Sequence, residues 1–543
     1  MKFHLKKRPL FVGMLAAVFL VTTAYKNDYF EIAKQLDIFT TLFKEINMNY
    51  VDETNPAELM QKSVKHMLKE LDPYTTYMNE QDVEKARIYH SGAYVGIGAS
   101  INSQKNKLII VEVYKNLAAD KAGLKSGDEI IKIEGLDVSA LEESATQFLN
   151  GKKNTTVTLT YRRNGEDKEI VVTRGDITPK AVPVSKLLEN GVGYIALDRF
   201  SKTASSEVES ALKLMLIDEA KGIILDLRNN PGGLLHEAVK IVNLFVPKGQ
   251  LVVSTKSNIE SYNQTFFTKA QPLSLDVPLV ILINQKSASA SEIVAGALQD
   301  LDRAVIVGKR SFGKGLVQKP TKLPYGSQLK VTISRYYTPS GRCIQALNYR
   351  DRKEDGSAIS YKFKEYTAFK TKNGRTVYDG GAISPDIVIG NDASNKFIES
   401  LLNSSVVFDF ANLYYHNNTL KTFEDFRLST KDYDQFKELS LQEKYNAGDI
   451  IQKEINHLRR QIHKEGFLET EASFEALKIA IDESKLKLIN TFKSDIISVL
   501  EGEIIKRYFY REGMYDYFIN KNEAVFEAQK LINNHNKYLS ILK

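Results

Sequence analysis

The chain has 543 residues, too long for one compact core, and its length gives a prior of three or four domains. An apolar share of 43% and a charged share of 26% form an ordinary globular balance. The net charge of +7 comes without a dense Lys/Arg block beside aromatics, which argues against nucleic acid as a partner. A single cysteine, Cys343, excludes an internal disulfide framework and a cysteine metal cluster.

In chain order, the first signal is an address. Lys2, Lys6, Lys7 and Arg8 precede "LFVGMLAAVFLVTTAY", an uncharged apolar run. A basic flank followed by such a run predicts an export signal over 1–25. At sixteen residues the run is short for a span of ~20, so cleaved signal peptide and retained membrane anchor both stay open. No cysteine follows it, so no lipoprotein anchor is expected, and no second such run appears. Everything after residue 26 is expected on one side of a membrane, outside the cytoplasm.

Residues 27–82 read as helices. In "NPAELMQKSVKHMLKEL", Asn55 is the cap, Pro56 the first helical residue and Glu58 the N3 residue, and Asp72-Pro73 ends the pattern. Residues 90–175 read as a small β-rich module. "KLIIVEVY" is a strand, and "TTVTLTYRRNGEDKEIVVTR" is a hairpin turning at Asn164-Gly165. "NLAADKAGLKSGDE" is a short helix followed by a turn at Ser126-Gly127-Asp128. The stretch "YVGIG", with Val95, Gly96, Ile97 and Gly98, can turn backbone N–H groups toward a carboxylate.

From residue 191 the pattern is α/β. "GYIALDRF", "KGIILDLR", "LDVPLVILIN" and "RAVIVG" are apolar strands separated by helical runs, and "GLVQKPTKL" with "QLKVTISRYYTPSG" read as strands or a hairpin. Beyond 393 glycine nearly vanishes and long helical patterns dominate.

Three places in the α/β region carry chemistry. "NQKSASASEIVAGALQD" sets Ser287, Ser289 and Ser291 at a strand-to-helix junction, where free N–H groups can hold an oxyanion beside a serine oxygen. The pattern alone does not choose among the three, and a serine-rich helix cap explains it equally well. "LDLRNNPGG" adds Gly232 and Gly233, whose backbone N–H groups can serve as oxyanion donors or form a plain βα turn. The base is either His236, in "LLHEAVK", or Lys314, between Gly313 and Gly315. A lysine serves only if burial lowers its pKa. If "GLVQ" is extended, Lys314 and Gln318 share a face by period two.

Taken together, "DLRNNPGG", "SASASEIVAGALQD", "KRSFGKGLVQ", "RYYTPSGRCIQ" and "GGAISPDIVI" resemble, in order, the C-terminal processing peptidases, or tail-specific proteases, of the serine–lysine S41 type. The resemblance implies Ser289 as nucleophile, Lys314 as general base and Gln318 as its support. It implies oxyanion donors from Ala290 and one of Gly232 and Gly233, and a supporting, structural carboxylate at Asp300. It implies that residues 90–175 are a PDZ module whose "YVGIG" loop takes the carboxylate of a substrate tail. The fold it implies is a multidomain α/β protein with a ClpP/crotonase-like protease core, a β-rich PDZ domain and flanking helical regions.

The expected organisation is a signal or anchor at 1–25, a helical region at 26–85, the PDZ domain at 86–175, the peptidase core at 176–392 and a helical domain at 393–543. The expected activity is serine-type endoproteolysis of envelope or secreted proteins near their C-termini, on the periplasmic side of a bacterial envelope, soluble or anchored to the inner membrane. No metal or cofactor is called for. Expected partners are protein or peptide tails, with a homo-oligomer through the helical regions and a regulatory adaptor as open additions. The rival classes are a PDZ-containing envelope adaptor without catalysis and a conventional Ser/His hydrolase using His236. The latter lacks a G-x-S-x-G frame, because the serines are flanked by alanines.

Overall fold

The computed structural model describes residues 8–104, 107–140, 142–353, 356–390, 396–442, 445 and 450–543, and the chain forms two units, 1–77 and 78–543. In the first unit, helix Arg8–Asn49 is followed by helix Pro56–Lys69. Asn55 caps the second helix, its side chain accepting from Glu58 N–H at 3.2 Å, with Pro56 at the first turn. Asp72 closes the segment by accepting from the N–H groups of Tyr74 and Thr75 at 2.8 and 2.9 Å. The basic stretch Lys2–Lys7 lies outside the described residues, as do the side chains of the apolar run. Among the described residues no helix is long and apolar enough to cross a membrane.

The second unit opens with helix Glu80–Ser91, which ends at Gly92 in the left-handed conformation (φ +69°). Then comes an antiparallel sheet in the order Ala99–Gln104, Lys107–Val113, Glu129–Ile133, Thr156–Arg163, Glu166–Thr173. Its hairpin turns at Asn164 and Gly165, with φ of +54° and +82°, the mirror-image turn that suits twisted strands. Leu108, Ile110, Ile130, Leu159 and Val172 fill a core of its own. Strand Ala99–Gln104 lies at the edge of this sheet.

The α/β core is a sheet in the order Val184–Leu187, Val192–Ala196, Gly222–Asp226, Leu279–Ile283, Val305–Gly308, Ile387–Val388, parallel apart from the first pair. The near-continuous apolar strands mean burial on both faces. Ile223, Leu225, Leu279 and Ile281 pack on one face against helices Ala204–Ile217, Leu235–Asn243 and Ala290–Asp300. Ile224, Val280, Leu282 and Val305 pack on the other face against Val525, Ala528, Leu531 and Tyr538, from helices Glu523–Asn533 and His535–Leu542. The end of the region expected as a helical domain is thus the second layer of the α/β core. Contact is close: a Cβ on Gly222 would lie 2.5 Å from Ile532 Cγ2.

A second, antiparallel sheet joins Leu316–Lys322, Gln328–Tyr337, Leu251–Lys256 and Gln264–Phe267 in that order. Helices Lys396–Asn403, Ser405–Asn417, Thr430–Ser440, Glu471–Thr491 and Lys493–Ile519 share a further apolar core around Phe410, Phe436, Leu500 and Ile504.

Candidate active site

The strand Leu279–Ile283 runs into a short turn, and helix Ala290–Asp300 begins beyond it, every residue of it buried. The three serines at this junction differ in what holds them. Ser287 is fully buried; its Oγ donates to Leu227 O at 2.8 Å and accepts from Asn284 N–H at 2.9 Å. Ser291 is fully buried too, and its Oγ donates to Asn230 O at 2.9 Å. Both hydroxyls therefore fasten the serine turn to the "LDLRNNPGG" loop. Ser289 is the partly exposed member of the set. It is the N-cap of the helix and stands at φ +56°, ψ −112°, a region that costs a non-glycine residue of order 1–3 kcal/mol. The neighbouring structure holds this strain, as expected where a side chain has been aimed for chemistry.

Part of that structure is Glu292, one turn into the helix and fully buried. Its Oε2 accepts from Ser289 N–H at 2.8 Å and from Lys314 N–H at 2.9 Å. Its Oε1 accepts from Gly313 N–H and Ser311 Oγ, both at 2.6 Å. Burial pushes the Glu292 carboxyl above its ordinary value, against the opposing pull of these four donors. Tyr336, buried on strand Gln328–Tyr337, sets its hydroxyl between the carbonyls of Ser289, at 3.2 Å, and Lys314. Phe312 N–H donates to Ser287 O at 3.0 Å. The serine turn and the lysine loop are thus bound to each other at several points.

The glycines beside Lys314 make room for that fit. A Cβ on Gly313, at φ +85°, would lie 2.3 Å from Ala346 Cβ. A Cβ on Gly315 would lie 2.8 Å from Gln345 N, and the Gly315 N–H donates to Gln345 Oε1 at 2.8 Å.

The second glycine pair approaches the serine from below. A Cβ on Gly232, at φ +99°, would sit 2.7 Å from Ala288 O, 2.8 Å from Ser289 Cβ and 2.9 Å from Ala290 N. The Gly232 N–H is taken by Asn230 Oδ1 at 2.9 Å, whereas among the described residues the N–H groups of Gly233 and Ala290 have no acceptor. Ala290 opens its helix, where N–H groups lack an intrahelical partner. Behind the loop, Asp226 holds the partly buried Arg228 guanidinium, and Arg228 Nη1 donates to Asn522 Oδ1 at 2.6 Å. Asn522 caps helix Glu523–Asn533, so the glycine loop is tied to the layer beneath it.

Gln318 differs from the sequence expectation in its setting. The strand begins at Leu316, after Lys314, and a bulge falls between Val317 and Gln318, so alternation does not carry a face from Lys314 to Gln318. The Gln318 amide donates to Thr332 Oγ1 at 3.2 Å. Asp300 is buried, pairs with Arg342 at 2.7 Å and accepts from Ser340 N–H at 3.0 Å, pinning the loop after strand Gln328–Tyr337. His236 sits on helix Leu235–Asn243 with its side chain 59% exposed and Nε2 3.5 Å from Glu237.

In the β-rich module, Val95 and Gly96 lie on strand Tyr94–Gly96, paired with Gly175–Ile177. Ile97 O accepts from Ala119 N–H at 2.6 Å and Gly98 O from Tyr114 N–H at 3.1 Å, with Gly98 at φ +79°. The loop therefore leads straight into the edge strand Ala99–Gln104, where an extended peptide can add.

Sequence reasoning passed over Glu292. Its three-residue spacing from Ser289 is a capping-box signal, but its bonds to Ser311, Gly313 and Lys314 are long-range. Tyr336 and Asn230 gave no signal.

Comparison with known proteins adds three family matches. The model for peptidase family S41 matches residues 191–351, that for a PDZ domain residues 95–173, and "Probable PDZ-protease, C-terminal helical domain" residues 397–532. A "Probable CtpA-like serine protease" of Staphylococcus aureus is 32% identical over 432 residues, covering 78% of this chain and 85% of its own. A "Carboxy-terminal-processing protease" of Bartonella bacilliformis is 36% identical over 355 residues, covering 64% of this chain and 80% of its own. Among solved structures, a photosystem II D1 C-terminal processing protease matches with a TM-score of 0.36 at 22% identity, over 66% of this chain and 94% of its own.

Proposed function

This chain belongs to the carboxy-terminal-processing serine peptidases of family S41 and carries a PDZ domain, and from that premise we propose that Ser289 is its nucleophile and Lys314 its general base. The observation that carries the pair is the shared anchoring of both residues: Glu292 Oε2 accepts from both main chains, and the Tyr336 hydroxyl stands between both carbonyls. The strained φ of Ser289, and the engagement of Ser287 and Ser291 in holding the turn, favour the middle serine.

In this reading neutral Lys314 takes the proton of Ser289 Oγ, and the oxygen attacks the carbonyl carbon of the scissile peptide. The oxyanion accepts from Ala290 N–H and Gly233 N–H, since Gly232 N–H already serves Asn230. Lysine returns its proton to the leaving amine, the C-terminal fragment departs, and water hydrolyses the acyl-enzyme with Lys314 again as base. Gln318 steadies the strand that follows the lysine. All of these steps use the chain's own residues.

The edge strand Ala99–Gln104 takes the substrate tail as an added strand, and the Val95–Gly98 loop meets its carboxylate. The enzyme works outside the cytoplasm, on the envelope side implied by its basic and apolar N-terminus. The deciding experiment is peptide cleavage by Ser289→Ala and Lys314→Ala, each with circular dichroism to verify folding. Cleavage is expected at background in both; near-normal turnover in either overturns the pair. His236→Ala is expected to keep most activity, because the imidazole lies on an exposed helix face.

A further inference from the structure

Helix Lys493–Ile519 is broken at Tyr510, which stands at φ +60°, ψ −169°. Such a conformation is costly for a tyrosine and persists only where surrounding contacts enforce it. Gly513 permits the break, because a Cβ there would lie 2.2 Å from Phe509 Cβ. Two neighbouring side chains at the break reach different parts of the molecule. Tyr510 Oη donates to Asp120 Oδ1 at 2.6 Å, on the short helix Ala118–Ala122 of the PDZ domain. The Arg511 guanidinium grips Glu112 of PDZ strand Lys107–Val113 with Nε and Nη2, at 3.1 and 2.6 Å. Its Nη1 donates to Asp198 at 2.5 Å, and the Tyr515 hydroxyl also bonds Asp198. Asp198 lies two residues before Phe200, whose N–H and C=O bond Gly232 O and Leu234 N–H.

We propose that Arg511 is a releasable ionic latch, fastening the PDZ domain to the peptidase core from the kink of the C-terminal helix. The apolar clusters support this. The buried cluster of the PDZ domain draws only on residues within 97–172, and that of the helical bundle only on residues within 397–518. Among the described residues no buried apolar cluster joins the PDZ domain to either neighbour, whereas helices Glu523–Asn533 and His535–Leu542 share a core with the sheet. Cavities of about 90 and 230 Å³ flank the latch, the larger lined by Glu112, Tyr114, Pro179, Pro183 and Arg511. A seam of charges and cavities rehydrates readily when it parts, as an apolar core does not. The latch also grips next to the proposed tail site. Glu112 pairs with Ser100 of the edge strand, and Asp120 follows Ala119, whose N–H bonds Ile97 O. When the latch opens, strand Lys107–Val113 and helix Ala118–Ala122 lose the brace of the kinked helix and open more often, and the domain swings on the 178–180 linker.

This inference rests on the proposed tail site for its place in control, but its test does not use catalysis. Amide hydrogen exchange is measured on the full chain, wild type, Arg511→Ala and Glu112→Gln, at low and high salt. Exchange across Lys107–Val113, Ala118–Ala122 and 178–180 is expected to rise about tenfold or more in both variants and, in wild type, with salt. Exchange in strands Gly222–Asp226 and Leu279–Ile283 stays as it was. Unchanged exchange at the seam in Glu112→Gln overturns the latch, and so does a rise spread evenly over the core strands in that variant. Because Glu112 lies on the PDZ side and outside the core, the variant decides the matter even if Arg511→Ala folds poorly. The same pattern is expected in a Ser289→Ala background, so a failed latch leaves the catalytic pair standing and a failed pair leaves the latch standing.

Discussion

Ser289 and Lys314 are twenty-five residues apart in the chain, yet their main-chain N–H groups donate to one and the same atom, Glu292 Oε2, at 2.8 and 2.9 Å. A fixed, buried acceptor sets the spacing of the two loops more firmly than a contact between two long side chains would, because both donors are main-chain groups and only the Glu292 rotamer intervenes.

Replacing Glu292 with alanine strands four donors, those of Ser311 and Gly313 buried, at about 1–3 kcal/mol for each buried one left unsatisfied. The expected outcome is a lower melting temperature together with a loss of kcat of at least about a hundredfold, the cost of misplacing reacting groups by about 1 Å. Melting curves and steady-state kinetics on a peptide substrate measure both. A variant with unchanged kcat removes Glu292 from the positioning of the pair.

Gly232→Ala drives a methyl group into Ala288 O and Ser289 Cβ, at 2.7 and 2.8 Å. Gly135→Ala is the matched control, because it also has positive φ, +80°, but nothing within 4 Å of the added carbon. Both carry the backbone cost of roughly 1–2 kcal/mol. Only the first is expected to lose kcat, by tenfold or more, on the scale of a small misplacement. Equal kinetics for the two would detach the glycine loop from the reacting serine.

A lysine accepts a proton only when neutral, and its unperturbed value is ~10.4. The rate constant kcat/KM is therefore expected to climb with pH across the neutral range, in a profile that Lys314→Ala abolishes. A plateau already reached near pH ~5 would need a titration below the ~5–6 that deeply buried lysines reach, and would speak for a different base.

Glu503 offers a stability test far from the serine. Burial pushes its carboxyl up, but Lys506 at 2.7 Å and Arg507 at 2.9 Å outweigh that and hold it down at about 2. Its value in the unfolded chain is ~4.3. The folded value being the lower one, the contribution of Glu503 is present above pH ~4.3 and is lost as pH falls toward about 2. Thermal melts of wild type and Glu503→Gln should differ most near neutral pH and converge in acid. A gap that widens in acid contradicts the assignment.

Tail recognition is checked by titrating the full-length Ser289→Ala protein with matched free-acid and amidated peptides. Amidation removes the charge that the Val95–Gly98 loop is read to meet, at about 1.5–3 kcal/mol, or roughly ten- to a hundredfold in affinity. Identical affinities would move substrate choice to the groove around Ser289.

Much of this is legible in the amino-acid sequence. The Asn55 cap, the Asn164-Gly165 hairpin and the α/β strand runs are local signals, and each element formed where its own residues called for it. The serine cluster, the glycine loop and the glycine-flanked lysine could be picked out because their chemistry needs small neighbours. What stayed hidden was long-range. Three serines looked alike until Leu227 O and Asn230 O claimed two of them. Gly232 and Gly233 looked equivalent until Asn230 occupied one N–H. A bulge, invisible in the residue pattern, removed the alternation argument for Gln318. The helical patterns beyond 393 could not say that the apolar face of 523–542 belongs to strands more than two hundred residues earlier.

That last partnership has a bearing on how the molecule comes into being. Ile224, Val280, Leu282 and Val305 are made well before Val525, Leu531 and Tyr538, the residues that cover them. Until these helices are made the sheet has one naked face, and the Arg228 beneath the glycine loop has no Asn522 to hold. A chain cut short before these helices would leave an apolar sheet face open to water and the glycine loop without its tie to the layer beneath.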